Sequence, residues 1–207
     1  MKLIKSQELV VDQLVEKTKV SLDQNTKTSV YFKAPTGSGK TFMMINYIDK
    51  LIDHSKYDQS QKLIFVIVTL SSAQLPQQME ENFKEYKHYI NNKDLQIHRI
   101  ESPSNTKTSS KIEKNFKFYA EQNHVYIMGG ASFKANSILR EEEAIESFLS
   151  EIKHKNYKLI YIRDEAHIGS DVEKTASKGK NEIASFEKKH ANKCSLCTQN
   201  DSYTKQW

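Results

Sequence analysis

Short runs of β-branched and aromatic residues alternate along the chain with longer stretches whose apolar positions recur every three to four residues. That alternation is the signature of a parallel sheet covered by helices on both faces. Strands are expected at Ser29 to Lys33, Leu63 to Thr69, Leu95 to Ile100, Val125 to Gly129 and Lys158 to Arg163. A first helix is expected from Ser6 to Leu22, with Ser6 as its cap and Leu9, Val10, Gln13, Leu14 and Lys17 near one face. A second should open at Gly39 and carry Phe42, Met43, Ile45, Tyr47, Ile48 and Leu51 to about His54. Others are expected over Ala73 to His88, Thr108 to Glu121 and Arg140 to Lys153, with a Ser-, Thr-, Asn- and Pro-containing loop from Glu101 to Ser110. After Ser170 the alternation fades into a Lys- and Asn-rich tail in which only Asn181 to Lys189 has a helical pattern. The expected division is therefore an α/β domain over 1–170 and an atypical, partly helical tail over 171–207.

Composition narrows the classes without choosing among them. With 207 residues, 37% hydrophobic and 28% charged, the chain has enough apolar surface for one domain and is not of disordered type. The longest apolar run, Leu63 to Val68, is far below the ~20 residues that cross a bilayer, and the polar start offers no secretory core, so a cytoplasmic address is expected. The formal charge of +5 favours a polyanion only if it gathers on one face. Cys194 and Cys197 form a lone Cys-x-x-Cys without a second ligand pair, which reads as two free thiols rather than a metal site.

Two segments carry chemistry. Ala34-Pro35-Thr36-Gly37-Ser38-Gly39-Lys40-Thr41 joins an expected strand to an expected helix, the setting of a phosphate-binding loop. The glycines let backbone N–H groups turn toward phosphate oxygens, and the helix N-terminus adds partial positive charge. In such a loop Thr36, Gly37, Ser38 and Gly39 form the cradle, Lys40 reaches the β- and γ-phosphates, and the Thr41 hydroxyl is a Mg²⁺ ligand. Ile160-Tyr161-Ile162-Arg163-Asp164-Glu165-Ala166-His167 is an apolar strand ending in two carboxylates, which places them at the sheet edge where open α/β folds bind ligands. There Asp164 would hold Mg²⁺ and Glu165 would orient or deprotonate the attacking water, leaving Lys40, Asp164 and Glu165 as the catalytic set.

Ala-x-x-Gly-x-Gly-Lys-Thr followed by Asp-Glu-x-His resembles the helicase-like ATPases of superfamily 2 over roughly residues 3–170. The resemblance implies the first RecA-like domain of a P-loop NTPase, with ATP and Mg²⁺ as cofactors. It also implies a glutamine at the adenine edge, here Gln7, and coupling of the site to a second domain through His167. Nucleic-acid contacts fall on the segments that hold Ser71, Ser72 and Gln74, and Ser132 and Lys134. Arg163 to Gly169, with Gly129-Gly130-Ala131-Ser132-Phe133-Lys134 before it, is most similar to the restriction subunits of type III restriction enzymes. That implies an ATP-driven DNA translocase working with a methyltransferase partner, with RNA as the alternative strand. The family's Ser/Thr-Ala-Thr motif and second RecA-like domain are not found, and Lys193 to Gln199 stands where the former would fall. A truncated motor half with weak activity of its own is expected. The alternatives are an inactive nucleotide- or DNA-binding module and a general DEAD/DEAH helicase fragment.

Overall fold

The computed structural model describes residues 1–26, 28–32, 34–35, 37–57, 61–69, 74–100, 118–133, 143–164 and 196–199. Among these residues, α1 (Lys5–Asp23) leads to β1 (Ser29–Tyr31), α2 (Lys40–Tyr57), β2 (Leu63–Thr69) and α3 (Gln74–Tyr86). Then follow β3 (Ile97–Ile100), β4 (Val125–Gly129), α4 (Ala144–His154), β5 (Lys158–Arg163) and β6 (Leu196–Gln199), with 3₁₀ turns at Lys87–Tyr89 and Gly130–Phe133. The strands form one sheet in the order β1-β6-β5-β2-β4-β3, and every pairing is parallel.

The central strands are near-continuous apolar runs because both of their faces are covered. Along β2, Leu63, Phe65 and Ile67 enter one core cluster with Val11 and Val15 of α1, Ile45 and Ile48 of α2, and Phe83 of α3. The alternate residues Ile64, Val66 and Val68 enter a second cluster with Ile145, Phe148 and Ile152 of α4. The period of two therefore sorts one strand between two layers: α1, α2 and α3 on one face, α4 on the other. This is the α/β architecture expected from the alternation of patterns.

Several expectations need correction. Helix α1 starts at Lys5, with Ile4 in the capping position and extended, so Ser6 is not the cap. The Gln7 side chain instead accepts the Ile4 N–H through Oε1 at 3.0 Å, starting the helix one turn-position early. The buried face of α1 is Val11, Val15, Thr18 and Leu22, the row that meets α2, whereas Leu9 is 60% exposed. Finally, no strand is expected past Arg163, yet β6 stands between β1 and β5. Of the expected helix over Thr108 to Glu121, only Phe118–Glu121 is described, and it is not helical. The expected helix over Asn181 to Lys189 lies outside the described residues.

A polar pair at the far end of the sheet makes stability depend on pH. His98 of β3 and His124, just before β4, face each other with Nε2 and Nδ1 3.0 Å apart, and the His98 ring also stacks on Tyr126. Burial pushes the His98 imidazole below its ordinary value near 6.5, with Glu80 opposing and Lys84 adding to the shift. For His124, burial and then His98 lower it against the pull of Glu121. The unfolded chain therefore takes up protons that the fold resists, so stability holds above about pH 7 and falls as pH drops below the ordinary imidazole value. Thermal unfolding should show this slope as pH falls from about 7 through the ordinary imidazole value, and replacing both histidines with Asn should flatten it. A slope of undiminished size in the double variant would assign the effect to other groups.

Candidate nucleotide site

Register places the parts of the site. Ile100, Met128, Val68, Arg163, Gln199 and Tyr31 stand level across the six strands, so one carboxyl edge follows them all. β1 feeds the segment Phe32, Ala34 and Pro35 from this edge, and Asp164 follows β5 there, its N–H donating to the Val68 carbonyl at 2.9 Å. With β6 between them, β1 and β5 are two strand spacings apart, about 10 Å. The loop entrance and Asp164 therefore open on the same edge.

The loop has the backbone that its glycines predict. Gly37 and Gly39 both adopt left-handed φ, +78° and +79°, which a side chain would strain. A Cβ on Gly37 would point into open space, whereas one on Gly39 would stand 2.9 Å from Gln7 Nε2. The Ser38 N–H donates to the Pro35 carbonyl at 3.2 Å, and the Met43 N–H donates to the Gly39 carbonyl at 2.9 Å, closing the first turn of α2. Ser38 Oγ is buried and finds no hydrogen-bond partner among the described residues. Lys40 and Thr41, both half-buried, open the 18-residue α2, whose first turn carries no carboxylate. A small cavity of about 40 Å³ lies behind the loop, lined by Lys40 with Val30, Phe32, Met43, Tyr47 and Ile162.

Gln7 reaches this loop from 31 residues away, and its Nε2 donates to the Ser38 carbonyl at 2.8 Å. Thus Gln7, Gly37, Ser38, Gly39, Lys40 and Thr41 come together, and Asp164 shares their edge. Thr36, Glu165 and His167 lie outside the described residues. Of the proposed strand contacts, Ser71, Ser72 and Lys134 also lie outside them, and Gln74 is exposed at the start of α3. Ser132 does not suit a surface contact: it is 3% exposed, with its hydroxyl on the Ile100 carbonyl at 3.4 Å.

The open edge also includes something that sequence patterning missed. Gln199 ends β6 between the loop strand and the Asp164 strand. Its only signal is the four-residue run Leu196-Cys197-Thr198-Gln199, too short to stand out from the polar segment around it. Among the described residues no three His, Cys, Asp or Glu side chains gather into a metal-binding group. No helix among them is long and apolar enough to cross a membrane.

The family described as "Type III restriction enzyme, res subunit" matches residues 1–196. The chain belongs to this family. It is thus a helicase-like, Res-type ATPase domain, of a class that in general uses ATP and Mg²⁺ and hydrolyses ATP. Among solved structures, it is similar to a nuclease-deletion mutant of the Type ISP restriction-modification enzyme LlaGI, solved in complex with a DNA substrate mimic. The TM-score is 0.50 at 14% identity, and the match covers 100% of this chain but 18% of that one, a likeness of fold. No curated protein matches the chain. The family match and β6 both extend past residue 170.

Proposed function

We propose that this Res-type domain binds ATP·Mg²⁺ at its carboxyl edge and forms one face of the ATP site of a DNA-dependent translocase in a restriction enzyme. The observation that carries this reading is the convergence of a doubly left-handed glycine loop, Lys40 and Thr41 at a helix N-terminus, and Asp164 on one sheet edge. The residues fit the ligand. The orphaned Ser38 hydroxyl and the unoffset positive end of α2 both ask for an anion. Loop N–H groups and Lys40 would hold the phosphates; the Thr41 hydroxyl and Asp164 would hold the magnesium; Glu165 would orient the water. Bound magnesium would neutralise charge on the phosphates.

DNA would run along the same edge, where Gln74 opens α3, and the modifying partner would be a methyltransferase. The DNA assignment draws support from the restriction-enzyme family and the DNA-bound neighbour, and the methyltransferase comes from the resemblance to type III restriction subunits. Groups that stabilise the transferring phosphoryl from the opposite side, worth ~10³-fold or more in related enzymes, belong in such motors to a second RecA-like domain. Calorimetry of the 207-residue chain should therefore detect ATP binding that needs Mg²⁺, with turnover that stays slow when DNA is added. Absence of binding would sink the site; rapid DNA-stimulated hydrolysis would show that one face suffices.

A further inference from the structure

We infer that Gln7 is a positioning residue whose side-chain amide latches the phosphate loop to the start of α1 before any nucleotide arrives. The inference rests on the reading of that loop as the ATP site. Its two contacts fix the amide's orientation: the Ile4 N–H can only donate, at 3.0 Å to Oε1, and the Ser38 carbonyl can only accept, at 2.8 Å from Nε2. One side chain therefore closes the first turn of α1 and grips the residue between the two left-handed glycines. Gly39 permits this approach, because a Cβ there would press on Nε2 at 2.9 Å.

The loop needs such a hold. Two glycines with φ near +80° can visit many other conformations at no steric penalty, and each must be frozen for the N–H groups to converge. A contact that orders the loop in the free protein removes part of that cost from binding, whatever base the ligand carries. Reading an adenine edge is a different role, because it would act on ATP and spare ligands without that base. One N–H and one lone pair of the amide stay uncommitted by the latch, so the two roles are compatible and must be separated by ligand choice.

The test uses Gln7→Met, similar in length but without donor or acceptor, and Gln7→Ala as a second variant that keeps helix propensity. Two measurements are made. In ligand-free protein, hydrogen exchange at the Ser38 and Met43 amides should quicken about 3- to 10-fold relative to the interior of α2, the change expected from one net hydrogen bond. By calorimetry with Mg²⁺, affinities for ATP, GTP and inorganic tripolyphosphate should all fall by a common factor of about 3 to 10. Unchanged exchange at Ser38, or a loss confined to ATP with tripolyphosphate affinity intact, would overturn the latch. Lys40→Ala runs beside it: if that variant still binds all three ligands normally, the ATP-site reading fails, while the exchange result still judges the contact itself.

Discussion

Lys40→Ala is expected to weaken ATP·Mg²⁺ binding by about 100-fold or more while leaving the ligand-free protein as stable as before, or slightly more so. A 100-fold loss is ~2.7 kcal/mol, within the range for removing a charge-assisted hydrogen bond from a partly dehydrated phosphate. The stability side of the prediction is the more diagnostic. A cation in the first turn of a helix opposes the macrodipole, and α2 has Lys40 there with no carboxylate to offset it. For the fold alone, Lys40 is a misplaced charge, and alanine should gain ~0.3–1 kcal/mol. Sequences break a local rule of this kind where a site requires it. Calorimetry for binding and a thermal melt without nucleotide decide the matter. Undiminished affinity would remove the phosphate-loop assignment; lost affinity with a melt several degrees lower would make Lys40 a structural residue.

The contrast between local and distant determinants also explains what could be read from the chain. The bounds of β2, β4 and β5 match the apolar runs because each strand is buried on both faces, so every position is constrained. The edge strand β3, half-buried along most of its length, is two residues shorter than its run suggests. β6 owes its existence to β1 and β5 on either side, and nothing in Leu196-Cys197-Thr198-Gln199 announces that pairing. The site divides the same way. The left-handed turns at Gly37 and Gly39 and the helix start at Lys40 are legible because eight consecutive residues specify the loop, and the edge position of Asp164 because it follows an apolar strand. That Gln7 holds the Ser38 carbonyl is a contact across 31 positions, and family resemblance points only to the residue. Ser132 shows the converse: a hydroxyl in a suggestive motif is buried and donates to the Ile100 carbonyl of β3.

The largest expected loss of stability lies on α2, well away from its N-terminus. Asp49 is 4% exposed, and its carboxylate accepts the backbone N–H groups of Asn91 and Asn92 at 3.1 and 2.9 Å and the Asn92 side-chain amide at 2.6 Å. One turn on, Asp53 accepts the side-chain amides of Asn91 and Asn92, and Lys56 bonds both Asp53 and Asn92. This face of α2 fastens the connection that delivers β3 to the sheet. Asp49→Ala would strand the backbone N–H of buried Asn92, at a cost of about 1–3 kcal/mol, and take the acceptor from the more exposed Asn91 N–H as well, so a net loss of about 2–3 kcal/mol is expected. Asp49→Asn retains one acceptor oxygen and sets an amide N–H against a backbone N–H, so its loss should be about half as large. For a chain of this size, denaturant unfolding should show the loss directly, and the melt should fall by about 2–4 °C per kcal/mol. Because α2 carries Lys40 at its start, saturating ATP·Mg²⁺ should recover stability in Asp49→Ala but not in Asp49→Ala/Lys40→Ala, by linkage of binding to folding. A melt of Asp49→Ala within a degree of the parent would show that the 91–92 connection finds other acceptors and that α2 does not depend on this clamp.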